Sequence, residues 1–309
     1  MLTLTEAIRP TTIIESSKLR DLLGLDLTVA SETFQHTGSF KFRAAYCVAS
    51  NVPNDTLLTA SSGNFGQALA YSCKLLGKKC TVIMPRTSAQ VKIEAVRSFG
   101  AVVDLIDVTQ VSRSDRIDQL RSELPDAYYA SPYDDRFVID GNSTMGEELA
   151  DHNFDFVIVP IGGGGLVSGI VSGLKKRESN SVAIGAEPLL GNDAARSLKA
   201  GELLQNQSEP MTLADGARTV SLGNLNWPII RENVPEIIEV SEENIADSVR
   251  MHFRYANLKC EPTAALSLGA ILENRERWEG KRICVVVTGG NVDASLYAKL
   301  ISESSRAVA

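Results

Sequence analysis

The sequence predicts an α/β protein built as two open, doubly wound lobes. Three observations predict it. Short Val/Ile-rich runs alternate with helical patterns of roughly 10–15 residues, the signature of βαβ units and parallel sheet. Those runs are apolar on consecutive residues, as strands buried on both faces should be. The chain has 309 residues, about two domains at ~150 residues each.

In chain order, 57–60 is an apolar run leading into a helix over 67–76. Residues 80–84 read as a strand stopped by Pro85. Residues 88–99 read as a helix closed by Gly100, a residue that favours helix C-termini. A strand over 101–106 and a helix over 115–123 follow. Then come a buried-looking strand over 154–161, a helix over 165–176 and a strand over 182–186. Residues 282–287 form the last strand, and a helix begins near Asp293. The stretch 201–221 is polar and poor in periodicity, so a surface excursion is expected there. Residues 302–309 read as a fraying tail. No internal repeat or low-complexity stretch occurs.

Composition narrows the function. Lys and Arg number 31 against 38 Asp and Glu, a net charge of −7, which argues against nucleic acid or an anionic membrane as the main partner. The cysteines number 5 and none has C-x-x-C spacing, so reduced thiols are expected rather than disulfides or a zinc site. The 3 histidines show no metal-ligand spacing. No run of about 18 apolar residues occurs, and the chain reads as cytoplasmic.

Four clusters could carry chemistry. Gly162, Gly163, Gly164 and Gly165 follow a strand and open a helix. Backbone amides approach an anion closely there and the helix dipole favours it, so the turn suits a phosphate. It lacks the Lys-Ser/Thr of a Walker loop and the spacing of the dinucleotide fingerprint. Glu187, ending the next strand, nevertheless keeps nucleotide binding open. The bland alternative is a tight turn without a ligand; against it, adjacent glycines cost backbone entropy with no packing return. The second cluster is Thr37-Gly38-Ser39-Phe40-Lys41. A lysine at a helix start is electrostatically misplaced, which lowers its pKa and makes it a usable amine, unless it is a solvated surface lysine. The third is Ser61-Ser62-Gly63-Asn64-Phe65-Gly66, whose hydroxyls, amide and N–H groups can hold a carboxylate or serve as an ordinary N-cap. The fourth, Thr288-Gly289-Gly290-Asn291, sits at a strand's carboxyl end, where open α/β sheets bind ligands.

In this order and spacing, the four clusters resemble the fold-type-II pyridoxal-phosphate enzymes, and among them the serine/threonine dehydratase and serine racemase group. Ala214-Asp215-Gly216, the segment 222–230 and Glu261-Pro262-Thr263-Ala264 strengthen the likeness to serine racemase. The resemblance implies a fold like that of the tryptophan synthase β subunit. It implies a large cofactor-binding domain, 1–53 with 135–309, and a small domain, 54–134. It implies a homodimer and a small amino-acid substrate. Lys41 matches the lysine that binds the cofactor aldehyde and takes the Cα proton. Phe40 packs beside the ring, Gly162 to Gly165 hold the phosphate, and Asn64 meets the ring hydroxyl. Ser61, Ser62, Gly63 and Asn64 cradle the substrate carboxylate. Thr288 faces the pyridine nitrogen; a hydroxyl there makes a weaker electron sink than an acid would, which favours β-elimination over transamination.

The implied reaction is β-elimination of a 3-hydroxy amino acid such as serine, threonine or 3-hydroxyaspartate to a 2-oxo acid and ammonia. Ser62 matches the racemase's second acid/base on the opposite face; it either does this, making racemisation the alternative activity, or only binds carboxylate. Glu187 and Asp193, with the carbonyl of Gly191, match carboxylate ligands of a divalent cation, Mg²⁺ or Ca²⁺; the alternative is a surface acid pair. The sequence departs from the family pattern at two places. Phe65 stands where histidine is usual, and Ile139-Asp140-Gly141-Asn142-Ser143-Thr144 replaces Ile-Ala-Gly-Gln-Gly-Thr. Both changes are expected near the pocket and point away from plain serine or threonine, toward a bulkier or aromatic 3-hydroxy amino acid through Phe65 or, through Arg113, a dicarboxylic one. Arg113 aligns with an active-site arginine and reads a second carboxylate, or is solvated. Two other classes stay open: a nucleotide-binding oxidoreductase and a non-catalytic amino-acid-binding relative.

Overall fold

A computed structural model of the chain describes residues 2–61, 63–88 and 90–303. Its strands are β1 (Thr12–Ile14), β2 (Asp26–Ser31), β3 (Thr56–Ala60), β4 (Lys79–Pro85), β5 (Val102–Ile106), β6 (Tyr128–Tyr129), β7 (Phe156–Pro160), β8 (Val182–Pro188), β9 (Ile237–Val240) and β10 (Arg282–Val287). They form a 6-stranded sheet in the order β1-β2-β10-β7-β8-β9 and a 4-stranded sheet in the order β5-β4-β3-β6. β1 runs antiparallel to β2, and the other ladders are parallel, as the alternation of elements predicts.

The consecutive apolar residues of each central strand serve two different cores. Ile283, Val285 and Val287 of β10 pack with Ile158 of β7 and the helices Glu242–Ala256 and Pro262–Glu273. Cys284 and Val286 pack with Val157 and Val159 and the helix Gly165–Lys176. Alternate side chains of a strand point to opposite faces, so a doubly covered strand needs apolar residues throughout. Each such Val or Ile contributes about 1.5–3 kcal/mol when fully buried. A third core joins the 4-stranded sheet to the helices Lys41–Asn51 and Asn64–Leu76. No helix among the described residues is long and apolar enough to cross a membrane.

The helix Lys41–Asn51 is fixed by a buried arginine. Arg43 Nε and Nη2 donate to Glu32 at 2.9 Å each, and Nη1 donates to Glu148 at 2.8 Å and to Thr144 at 2.9 Å. Its solvent exposure is 0%. A buried charge is tolerable only when its donors are matched in this way. The network ties that helix to the end of β2 and to the helix Arg136–Ala150.

Several boundaries differ from the sequence reading. The helix expected over 67–76 begins at Asn64, and the one expected over 88–99 is Gln90–Ser98. Pro85 ends β4 rather than lying beyond it. The helix expected from 115 begins at Arg113, with Ser112 Oγ accepting from the Asp115 N–H at 3.0 Å. β7 is shorter than expected, ending at Pro160. The stretch 201–221 runs largely over the surface, as expected, but is pinned at a few buried residues. Thr212, Ala214 and Ala217 are buried, and Thr212 Oγ1 and the Leu213 N–H both donate to Glu242, at 2.5 and 2.6 Å. Its inward residues are too sparse and irregular to show a period. Ser302 still belongs to the helix Ala294–Ser302, and 304–309 lie outside the described residues.

Candidate active site

A cavity of about 430 Å³ opens where the carboxyl ends of β3, β7 and β10 meet. Residues from all four sequence clusters line it: Phe40 and Lys41, Ser61 with Gly63 to Phe65, Gly162 to Gly165, and Thr288 with Asn291. Ser62 lies outside the described residues.

Lys41 opens its helix, where the dipole repels a cation. Its Nζ donates to the carbonyl oxygen of Pro132 at 2.7 Å and lies 4.9 Å from the ring centroid of Phe40 and 5.8 Å from that of Phe65. Burial of the amine among these groups lowers its pKa to about 8, partly opposed by the charge of Glu261. Lys41 is therefore not a solvated surface lysine. Phe65 is fully buried beside it.

The glycine turn is shaped by packing as well as by any ligand. Gly164 has φ +87°, a left-handed conformation that suits glycine. A Cβ on Gly163 would stand 2.2 Å from the ring of Tyr133, and one on Gly164 2.7 Å from Ile230. The expectation that these glycines have no packing return is thus wrong: the loop is pressed between Tyr133 and the helix Asn226–Asn233. The helix Gly165–Lys176 begins here, and its first N–H groups have no partner within the helix. Thr288, just past β10, is 2% exposed and its Oγ1 has no hydrogen-bond partner. A buried orphan hydroxyl at one point of the cavity and an anion-suited turn at another fit a flat, phosphate-bearing, heteroaromatic group.

Asn64 joins three of the clusters. Its Nδ2 donates to Glu261 Oε1 and Oε2 at 2.9 and 3.1 Å. Its Oδ1 accepts from Asn291 Nδ2 at 2.8 Å, and Asn291 Nδ2 also donates to the Thr37 carbonyl at 2.7 Å. Asn64 does not cap its helix; Gly63 holds that position. Ser61 Oγ accepts from the Gly63 N–H at 3.4 Å. Glu261 was not singled out as a site residue from the sequence. It is buried, and desolvation followed by the charge of Asp215 raises its pKa to about 7, against the hydrogen bond from Asn64. The sequence marks it only through the segment Glu261-Pro262-Thr263-Ala264, which carries part of the family likeness without giving the carboxylate a role.

Other expected residues are placed differently. Arg113 lines the cavity, and its Nη1 donates to Glu209 at 2.7 Å. Lys92, not identified from sequence, also lines it and pairs with Asp215 at 3.3 Å. The segment 139–144 does not line the cavity; Asn142 only touches its wall, donating to the Gly165 carbonyl at 3.0 Å. Glu187 and Asp193 lie away from the cavity lining and are buried, not surface acids. Glu187 accepts from the Ala194 and Ala195 N–H groups at 3.2 and 2.6 Å at a helix start and is not part of the cavity lining, so it is not placed to hold a ribose there. Burial raises its pKa to about 8 and that of Asp193 to about 6, and the Asp193 charge adds to the rise at Glu187. Asp193 Oδ1 accepts from Asn206 at 2.8 Å, while its Oδ2 is buried without a partner. Among the described residues no group of three or more His, Cys, Asp or Glu could hold a metal, so a site here would rest on two carboxylates and backbone oxygen.

Comparison with known proteins agrees with this geometry. A family model described as "Pyridoxal-phosphate dependent enzyme" matches residues 4–289. The chain is 36% identical to the β-hydroxyaspartate dehydratase of Paracoccus denitrificans, over 93% of this chain and 92% of that one. It is 35% identical to the L-threo-3-hydroxyaspartate ammonia-lyase of Saccharomyces cerevisiae, over 96% and 92%. The crystal structure of serine racemase from Dictyostelium discoideum superposes with a TM-score of 0.86 at 33% identity, covering 94% of this chain and 95% of that one. The chain belongs to the pyridoxal-phosphate dependent enzymes.

Proposed function

We propose that this pyridoxal-phosphate enzyme is an ammonia-lyase that converts a 3-hydroxy amino acid to a 2-oxo acid and ammonia, with 3-hydroxyaspartate as the favoured substrate. The observation that carries the reading is the placement of a desolvated Lys41 in one cavity with the glycine turn and an unpartnered Thr288 hydroxyl. Bound cofactor supplies an aldehyde for amine attachment and an electron sink that acidifies the Cα proton.

The chain's own residues do the rest. The N–H groups at Gly162 to Gly165 hold the phosphate. The buried, unpartnered Thr288 Oγ1 would meet the ring nitrogen as a neutral hydroxyl, which would keep the sink weak and favour expulsion of the β-hydroxyl. Ser61, Ser62, Gly63 and Asn64 hold the α-carboxylate, and Phe65 closes the cavity wall beside Lys41. Lys41 Nζ, whose pKa is lowered to about 8 so that a large neutral fraction exists near that pH, takes the Cα proton. The β-oxygen leaves as water, one water returns in hydrolysis, and the products are 2-oxo acid and ammonium. Arg113, a guanidinium on the cavity wall, reads the second carboxylate of a dicarboxylic substrate. Glu187, Asp193 and the Gly191 carbonyl hold Mg²⁺ or Ca²⁺ away from the reacting atoms; the unpartnered Asp193 Oδ2 supports this. A cytoplasmic homodimer is the accompanying proposal; the free, buried cysteines suit a reducing compartment.

The second reading is racemisation, with Ser62 as the opposite-face acid/base. It is favoured by the likeness to serine racemase. One experiment separates the two: a panel of 3-hydroxy amino acids assayed for 2-oxo acid and for chirality at Cα. Oxo acid from 3-hydroxyaspartate supports the lyase, inversion without oxo acid supports the racemase, and oxo acid from none of them sinks the lyase reading.

A further inference from the structure

Arg113 and Glu209 reach the cavity from opposite sides of the cleft. Arg113 opens the helix Arg113–Glu123, between β5 and β6 of the 4-stranded sheet. Glu209 lies in the stretch that follows the helix Asp193–Ala200, between β8 and β9 of the 6-stranded sheet. Both line the cavity that holds Lys41, and their charged atoms are 2.7 Å apart. Lys92 and Asp215 repeat the arrangement, at 3.3 Å. Each cation on the one side is thus already answered by an acid from the other.

We propose that Glu209 is a specificity-determining residue: its carboxylate occupies Arg113 in place of a substrate's second carboxylate, and a dicarboxylic substrate must displace it. This rests on the reading of Arg113 as the reader of that carboxylate. Serine brings one carboxylate and leaves the pair intact. A dicarboxylate must break it, or sit beside Glu209 and suffer like-charge repulsion. The side chains of Arg113 and Glu209 are 41% and 55% exposed, so both can swing without unpacking anything. Exposed pairs of this kind contribute about 0.2–1 kcal/mol, which is roughly a one- to fivefold factor in binding. Glu209 therefore tunes the preference for dicarboxylates rather than blocking them.

The test uses the holoenzyme carrying Glu209→Gln, a near-isosteric change at an exposed position. The ratio of kcat/KM for 3-hydroxyaspartate to that for serine is expected to rise roughly two- to fivefold, through KM. Succinate, which has two carboxylates and no amine, is expected to bind more tightly by the same factor in calorimetry, while butyrate binding does not move. In an Arg113→Gln background the Glu209 change should do nothing further. An unchanged or lowered ratio, or unchanged succinate affinity, overturns the proposal, as does an equal effect on serine and 3-hydroxyaspartate. If neither amino acid is turned over, the lyase reading fails separately, and succinate calorimetry still decides the role of Glu209.

Discussion

Lys41 Nζ and the carbonyl oxygen of Pro132 are joined by a 2.7 Å hydrogen bond that spans 91 residues of chain. The carbonyl accepts from the amine whether it is charged or neutral. Burial supplies the bias toward neutrality, and the pKa falls from 10.5 to about 8.

The first prediction follows from that shift. Attachment of the cofactor aldehyde needs a neutral amine. Uptake of pyridoxal phosphate by cofactor-free protein, followed by absorbance, should quicken as pH rises and level off above about 8. A midpoint close to 10.5 would contradict the burial argument. Lys41→Ala should fold normally and lose turnover by roughly 10²–10⁴-fold from the missing proton transfer alone.

Glu261 yields a stability prediction of defined sign. Its carboxyl titrates at about 7 in the folded chain against 4.5 as the ordinary value. Between those values the folded state binds more protons than the unfolded state, so its contribution is favourable at low pH and is lost as pH rises through about 7. Glu261→Gln keeps an acceptor for Asn64 and cannot ionise. Its melting temperature relative to the wild type should therefore be higher at pH 8 than at pH 5; an equal difference at both pH values would show that Glu261 is not desolvated.

Gly163 tests the packing of the glycine turn. In Gly163→Ala the new methyl falls 2.2 Å from the Tyr133 ring, too close for either to stay in place. Overpacking of this kind costs about 1–3 kcal/mol. Urea unfolding of the cofactor-free variant should show that loss. Full stability in that assay would mean the loop is free to move.

The paired acids Glu187 and Asp193 test the proposed cation site. Mg²⁺ or Ca²⁺ at 100 times its Kd should stabilise the protein by about 2.7 kcal/mol, read as a rise in melting temperature. The rise should vanish in Asp193→Asn. No heat of binding for either ion in the wild type would remove the site.

Much of the fold was legible because its signal is local. The apolar runs of β7 and β10 show in sequence since every residue of a doubly covered strand faces a core. The stretch 201–221 shows its exposure in sequence but not its anchors, for the opposite reason. Thr212 and Leu213 are held by the distant Glu242, and no pattern within the stretch records that. Helix starts moved by a few residues because caps such as Ser112 act through one hydrogen bond, which composition does not reveal.

By itself the sequence determined the parallel α/β architecture and the glycine turn, because period and composition are written along the chain, and it marked Lys41 as the amine to watch only through the resemblance of four ordered clusters to a known family. Only the tertiary structure decided that Lys41 is desolvated, that Glu261 belongs to the site, and that Arg113 already holds a carboxylate. Burial and charge pairing depend on which remote segments meet. Val29, Ile158 and Val285 become neighbours in one sheet only after folding, and the ends of those strands bring the cavity's residues together.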